Sequence, residues 1–320
     1  MMSFFRIARN TFLESIREPV FFIMLYCAFF IIGNLPGLTL YVFFQQLKMV
    51  VDSSLAATMV GGMLILTLSA GHTVAREMRN GTVLLLMSKP VHRYIFISAK
   101  ICGIIFTGAV FCFLCFMGTF VSIFTASDQF WFNTWTYVGF FVAIFIAALF
   151  GLFMNFWRNS SFSEMTVKAA LFVLPVLALI CRIFCEKPEI DLVNVSSAMV
   201  LVFFSVAIMG TLAVIFAIKF DVVANLVLCA IMFFAGLMSN YLFKVLENYE
   251  NIVLNTLAKL IYSVLPNWQY FWMADSVAQG RMIPGVYLVF SLGYTLLYIA
   301  ICSLWAMVFF QTSEIAKDAR

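Results

Sequence analysis

Charge is scarce in this chain of 320 residues. Asp, Glu, Lys and Arg make up 11% of it, against about 25% in a typical soluble domain. Hydrophobic residues reach 64%, and the mean hydropathy is +1.04. That leaves too little polar surface to cover a water-soluble globule of this size. Lipid must therefore solvate the chain, and its work is done at or across a membrane. Histidine occurs twice, as His72 and His92, too rarely for a His-rich metal site. No G-x-x-x-x-G-K-[ST] stretch is present, so the chain has no phosphate-cradling loop of its own, and neither H-E-x-x-H nor G-x-S-x-G occurs. The expectation is a protein that is not an enzyme, with no catalytic residues and no bound metal. The N-terminus does not read as a secretory signal, because the first apolar run begins only behind a charged stretch that ends at Glu18.

What the chain has is long apolar runs. About 20 such residues cross the hydrocarbon core as a helix. Runs of that kind cover Val20–Tyr41, Leu55–Ala75, Tyr94–Ala126, Thr134–Trp157, Val167–Phe184, Ser197–Ile218, Val222–Phe243 and Pro284–Phe310. The expected fold is an all-α, polytopic bundle of about eight transmembrane helices. A β-barrel would show short alternating segments instead. If the N-terminus is placed inside, the inner segments hold 13 of the 19 Lys and Arg, among them Arg6, Arg9, Arg17, Arg76, Arg79, Lys89, Arg93, Lys100 and Arg158. The positive-inside rule then puts both termini in the cytoplasm, in a multi-pass cell (inner) membrane protein. The net charge of +4 reflects this bias rather than a nucleic-acid partner. Six of the eight cysteines lie in spans, as packing residues, including the C-x-x-C pair Cys112 and Cys115. Cys181 and Cys185, near the outer edge, stand one helical turn apart, which suits packing and also permits a disulfide in an oxidising compartment.

Three segments outside the spans carry patterns. Residues 1–19 place Phe5, Ala8, Phe12 and Ile16 at helical spacing, with Arg6, Arg9, Asn10 and Arg17 elsewhere on the helix, and Pro19 closes the segment. It reads as an amphipathic helix in the inner membrane interface, with Phe5, Arg9, Phe12 and Arg17 as its contact residues. The inner loop at about 76–93 is the densest polar stretch, yet it embeds Val83 to Met87 between charged ends. Asn80-Gly81 breaks the preceding helix, Thr82 can cap a new short one and Pro90 ends it. Apolar residues in such a place need a partner groove or lipid headgroups. The outer segment, from Lys244 to about 283, reads as an interfacial helix over Val253–Val264, a turn at Pro266-Asn267, and an aromatic belt of Trp268, Tyr270, Phe271 and Trp272.

Ionisable residues avoid the span centres, which argues against an ion-coupled secondary transporter, and no polar ring or filter of a channel stands out. Glu164 and Lys168 form an i,i+4 pair at the start of the fifth run. The architecture is that of a transporter without an energy source of its own, which directs attention to its cytoplasmic elements.

Those elements carry a resemblance. Glu77, then Gly81-Thr82, Leu84-Leu85, Ser88-Lys89-Pro90, Arg93 and finally Lys100 resemble the coupling segment of the permease subunits of type-2 ABC exporters, with Ala99 in place of the usual Gly before the lysine. Gly236, Glu247, Leu265-Pro266-Asn267, Phe271, Asp275, Gly280, Tyr294 and Tyr298 are similar to that family's closing region. The family usually has about six spans, so residues 127–184 read as an inserted transmembrane hairpin between the spans of 20–126 and those of 185–320. The resemblance implies a permease dimer, of two copies or of two paralogues, resting on separate cytoplasmic ATPase subunits that hold ATP and Mg, with none bound by this chain. It also implies a short coupling helix docked in the ATPase. Glu77, Arg79, Gly81, Thr82, Leu84, Leu85, Ser88, Lys89, Pro90 and Arg93 would form that contact, with Thr82, Leu84 and Leu85 as the docking face and Glu77, Arg79 and Arg93 as its charged rim. Two other readings stay open at this stage: an autonomous secondary transporter or channel, and a scaffold that passes ATPase motion to envelope partners.

Overall fold

A computed structural model describes residues 2–38, 45–79, 93–126, 133–185, 187–188, 190–247 and 264–318, with Thr256, Lys259 and Tyr262. Among these residues all regular structure is helical. An N-terminal helix α1 (Met2–Arg17) precedes α2 (Pro19–Leu38) and α3 (Gln46–Ala70). Helix α3 runs on through a π-helical turn, Gly71–Ala75, and a last α-helical turn, Arg76–Arg79. Next come α4 (Arg93–Thr125), α5 (Thr134–Arg158), α6 (Phe162–Phe184), α7 (Leu192–Lys219) and α8 (Val222–Glu247). A 3-10 turn (Trp268–Phe271) and a short α9 (Ala274–Ala278) lead to α10 (Gly285–Asp318). Eight of these helices are long and apolar enough to cross a membrane. The protein is a polytopic all-α membrane protein.

Helix α7 is the post of the bundle. It is apolar all round, and 89% of its span window is buried, as expected of a helix with no polar face. Helices α3, α4 and α10 pack against it. Helix α2 closes on α3 and α4, while α5 and α6 pack on each other and reach the bundle through α4 and α2. The outer helices keep lipid-facing surfaces, since only 17–28% of the α5, α6, α8 and α10 windows is buried. Side chains help to define the ends: Asn133 caps α5 by accepting from the amides of Trp135 and Thr136, and Asp191 caps α7 by accepting from Val193.

Two sequence expectations change. The second span begins at Gln46, well before Leu55, and runs to Met78 as 33 residues. Lys48 and Asp52 interrupt its apolar run, but they sit in the first turns, where α9 packs on α3. The expected aromatic belt is instead partly core. Trp268 and Phe271 are both 0% exposed. The Trp268 indole donates to the Met232 carbonyl at 3.4 Å, over Gly236. Tyr298 donates to the Val264 carbonyl at 3.0 Å, and Asn267 donates to Asn240 at 2.9 Å. The 3-10 turn thus plugs one end of the bundle, hereafter the cap end. The four described residues within 253–264, namely Thr256, Lys259, Tyr262 and Val264, are helical as expected.

Mid-span hydroxyls, in turn, do little to join helices. Thr58, Thr67, Thr73, Thr107, Thr119, Thr125, Thr211 and Thr295 each donate to the carbonyl four residues back in their own helix. Cross-helix bonds are made by Tyr26 to the Ile144 carbonyl, Ser122 to the Ile32 carbonyl and Asn225 to the Thr67 carbonyl.

Candidate functional site

A set of ion pairs lies at the end of the bundle opposite the cap, where α1 meets the end of α3 and the starts of α4 and α6. Helix α1 is held there by small residues. Its buried face is Ala8, Thr11, Ser15 and Ile16, and it lies along α4 at Gly103. A Cβ at Gly103 would meet the Ala8 carbonyl at 2.7 Å and the Thr11 Cβ at 2.8 Å, so this approach requires glycine. The expected apolar face is therefore divided. Phe12 packs edge-on against Phe106 of α4, 6.2 Å between ring centres, whereas Phe5 stays 68% exposed. Arg9 is exposed.

From α1 a chain of ion pairs crosses the bundle end. Glu164, at the start of α6, is a hub: Arg17 reaches it at 2.7 Å and Lys168 at 2.6 Å. The Ser163 hydroxyl donates to the Ile16 carbonyl at 2.5 Å, which fastens α6 to α1 a second time. The next residue, Glu18, pairs with Arg76, whose Nε also donates to the His72 carbonyl at 3.1 Å. Following Arg76, Glu77 pairs with Lys100 of α4 at 2.7 Å. Because residues 17 and 18, and 76 and 77, are chain neighbours, three ion-pair groups form one ladder from α6 through the α1–α2 corner and the end of α3 to α4.

The last rung is the least exposed. The Lys100 side chain is 5% exposed and that of Glu77 is 21% exposed, and the ammonium lies 5.7 Å from the Phe96 ring centre. A buried ammonium is tolerated only beside a compensating charge. Beside the ladder lies an open polar cleft of about 560 Å³ that Asn10, Glu14, Glu18 and Arg76 help to line. Burial pushes the Glu14 carboxyl above its usual 4.5. Lys100 and Arg76 pull it down, while Glu77 and Glu18 push it further up.

Glu77 and Lys100 stand on either side of residues 80–92. Of the residues singled out in the sequence, Gly81, Thr82, Leu84, Leu85, Ser88, Lys89 and Pro90 lie outside the described residues, as does His92. Arg79 is the last residue of the α3 continuation and Arg93 the first of α4. The π-turn Gly71–Ala75 comes directly before Arg76, and such turns within helices are frequent at functional sites. Sequence reading had Lys100 in the motif without a partner, and Glu164 with Lys168 alone. The Glu18–Arg76 and Arg17–Glu164 pairs have no sequence periodicity to reveal them. The arrangement joins helices at fixed distances on either side of residues 80–92.

A family model described as ABC-2 family transporter protein matches residues 5–185, more than half of the chain. The chain belongs to the ABC-2 transporter family. The comparison with curated proteins finds no match. In this ABC-2 permease the matched region takes in α1, the whole ion-pair ladder, the 80–92 segment and the α5–α6 hairpin, and ends before α7. The hairpin therefore falls inside the family's matched region.

Proposed function

We propose that this ABC-2 permease is the membrane subunit of an ATP-driven exporter, moved by a separate cytoplasmic ATPase through residues 76–93. The observation that carries the reading is the Glu77–Lys100 pair at 2.7 Å, which fixes the two feet of that segment to each other. A force applied to the loop is then delivered to α3 and α4 together, and both pack on the central α7. Packed elements of this kind shift as units between discrete arrangements. Nucleotide can bias those arrangements only through a differential affinity of the ATPase for one of them.

In this reading Thr82, Leu84 and Leu85 form the docking face, and Glu77, Arg79 and Arg93 its rim. Gly81, Ser88, Lys89 and Pro90 shape the helix between them. The permease works as a dimer, with a second copy or a paralogue, in the cytoplasmic membrane with both termini inside. ATP and Mg belong to the partner ATPase. The Lys168–Glu164–Arg17 hub makes the hairpin a buttress for α1. The placement of 13 of the 19 Lys and Arg on one side supports the orientation.

The test is a double substitution, Leu84→Glu with Leu85→Glu, followed by purification in mild detergent with quantification of the co-purifying ATPase. Loss of the ATPase with an intact, dimeric permease is the expected result. Undiminished ATPase association and transport would refute the docking assignment.

A further inference from the structure

Helices α3, α7 and α8 enclose an apolar crevice of about 180 Å³. Its floor is Met63, Met209 and Cys229, each less than 6% exposed, and its rim is Val60, Leu64 and Phe234, which are 45%, 38% and 62% exposed. All three walls belong to membrane-spanning helices, so the rim is continuous with the surface that this protein presents to hydrocarbon. We propose that the crevice holds an acyl chain of a bilayer phospholipid.

The geometry favours this occupant over water. The one hydroxyl in the lining, that of Thr67, already donates to the Met63 carbonyl at 2.8 Å, so water entering there would lack the polar partners it needs. An apolar cavity of roughly 150 Å³ stays dry and takes up hydrocarbon instead. Helices α3 and α8 are fastened to each other beside the crevice, which closes it at one end. The Asn225 amide of α8 donates to the Thr67 carbonyl of α3 at 3.3 Å, and a Cβ on Gly71 would lie 3.3 Å from the Val222 Cα. The site also has a mechanical position, because Gly71 opens the π-turn that leads to Glu77. A chain seated between α3 and α8 therefore rests on the helix that carries the ladder.

The experiment reconstitutes the full chain in nanodiscs containing a phospholipid with a diazirine midway along one acyl chain, with adducts mapped by mass spectrometry after illumination. Labelling at Leu64, Ala230 and Phe233 is expected to exceed, several-fold, that at Phe290, a 68% exposed residue of α10. Ala230→Trp is expected to abolish the crevice adducts and leave those at Phe290 unchanged. Leu64→Phe fills the same space from α3 and serves where the Trp variant does not fold. Crevice labelling no stronger than at Phe290 would overturn the proposal. So would a disulfide joining two copies through Leu64→Cys, because a second chain would then occupy the site. The measurement needs neither ATP nor an ATPase, so its outcome is separate from that of the exporter reading.

Discussion

Lys100 brings its ammonium into an almost closed site, with Glu77 as the compensating charge at 2.7 Å. The two ends of this pair are not equivalent. Removing the carboxylate leaves a side chain that is 5% exposed with an unpaired charge, whereas removing the ammonium leaves one that is 21% exposed and can still reach water. Breaking a fully buried pair costs about 3–5 kcal/mol, and partial exposure of Glu77 lowers that to about 1–3 kcal/mol here. Glu77→Gln should therefore lower the melting temperature in detergent more than Lys100→Met, and the double variant should recover part of the loss. Equal effects of the two single variants would mean that the site is wetter than its geometry indicates. Glu14 gives a pH-dependent counterpart. Burial raises its folded-state pKa above the usual 4.5, so the folded protein holds the proton more tightly than the unfolded chain does. Its contribution to stability is full below the unfolded value and is lost as pH rises through the higher folded value. Glu14→Gln should flatten that loss, read as the difference between the melting curves of variant and parent across mildly acidic to neutral pH. Parallel curves would remove Glu14 from the account.

Elements show how small residues decide position. Of the apolar stripe Phe5, Ala8, Phe12 and Ile16 on α1, Ala8 and Ile16 are buried together with Thr11 and Ser15, while Phe5 stays exposed. Dispersion between closely approaching backbones rewards small side chains at such a contact, and bulky ones would hold the helices apart. Gly103→Val places atoms on the α1 backbone itself, which has no rotamer with which to give way. Overpacking of this kind costs about 1–3 kcal/mol. The expected readout is faster hydrogen exchange across residues 4–16 with unchanged protection of α7. Unaltered exchange in α1 would show that the helix is held by the Arg17–Glu164 and Ser163–Ile16 contacts alone. The cap makes the same point from the other direction. An aromatic cluster beside a polar turn has one appearance in sequence whether it sits at a lipid interface or in a core, and the closing of the 3-10 turn over Gly236 put Trp268 inside.

At the scale of the whole molecule, the eight candidate spans among the described residues predict that both ends of the chain emerge on one side of the membrane. Reporter fusions at Met1 and Arg320 should give the same compartment, and an insertion at 187–188, between α6 and α7, should give the opposite one. Termini on opposite sides would mean that one of the eight helices does not span. The number and order of the spans were legible in the sequence, because transfer of some 20 apolar residues into hydrocarbon is a local, additive property. The ends of the spans were less legible: α3 begins at Gln46 and α6 at Phe162, since charged residues in the first turn of a helix interrupt an apolar run without ending the helix. The Glu164–Lys168 pair was also readable, as an i,i+4 spacing on one helix. The ladder was not. Arg17 meets Glu164, and Glu77 meets Lys100, across helices that only packing brings together, and no periodicity in the chain records it. The sequence by itself determined a membrane-spanning helical bundle with its charges gathered on one side, because scarcity of charge and length of apolar runs are properties of single segments. Only the tertiary structure decided which charges neutralise one another, which face of α1 is buried, that Trp268 is core, and that α3 and α8 part to leave a crevice. Each of these depends on the distance between segments far apart in the chain.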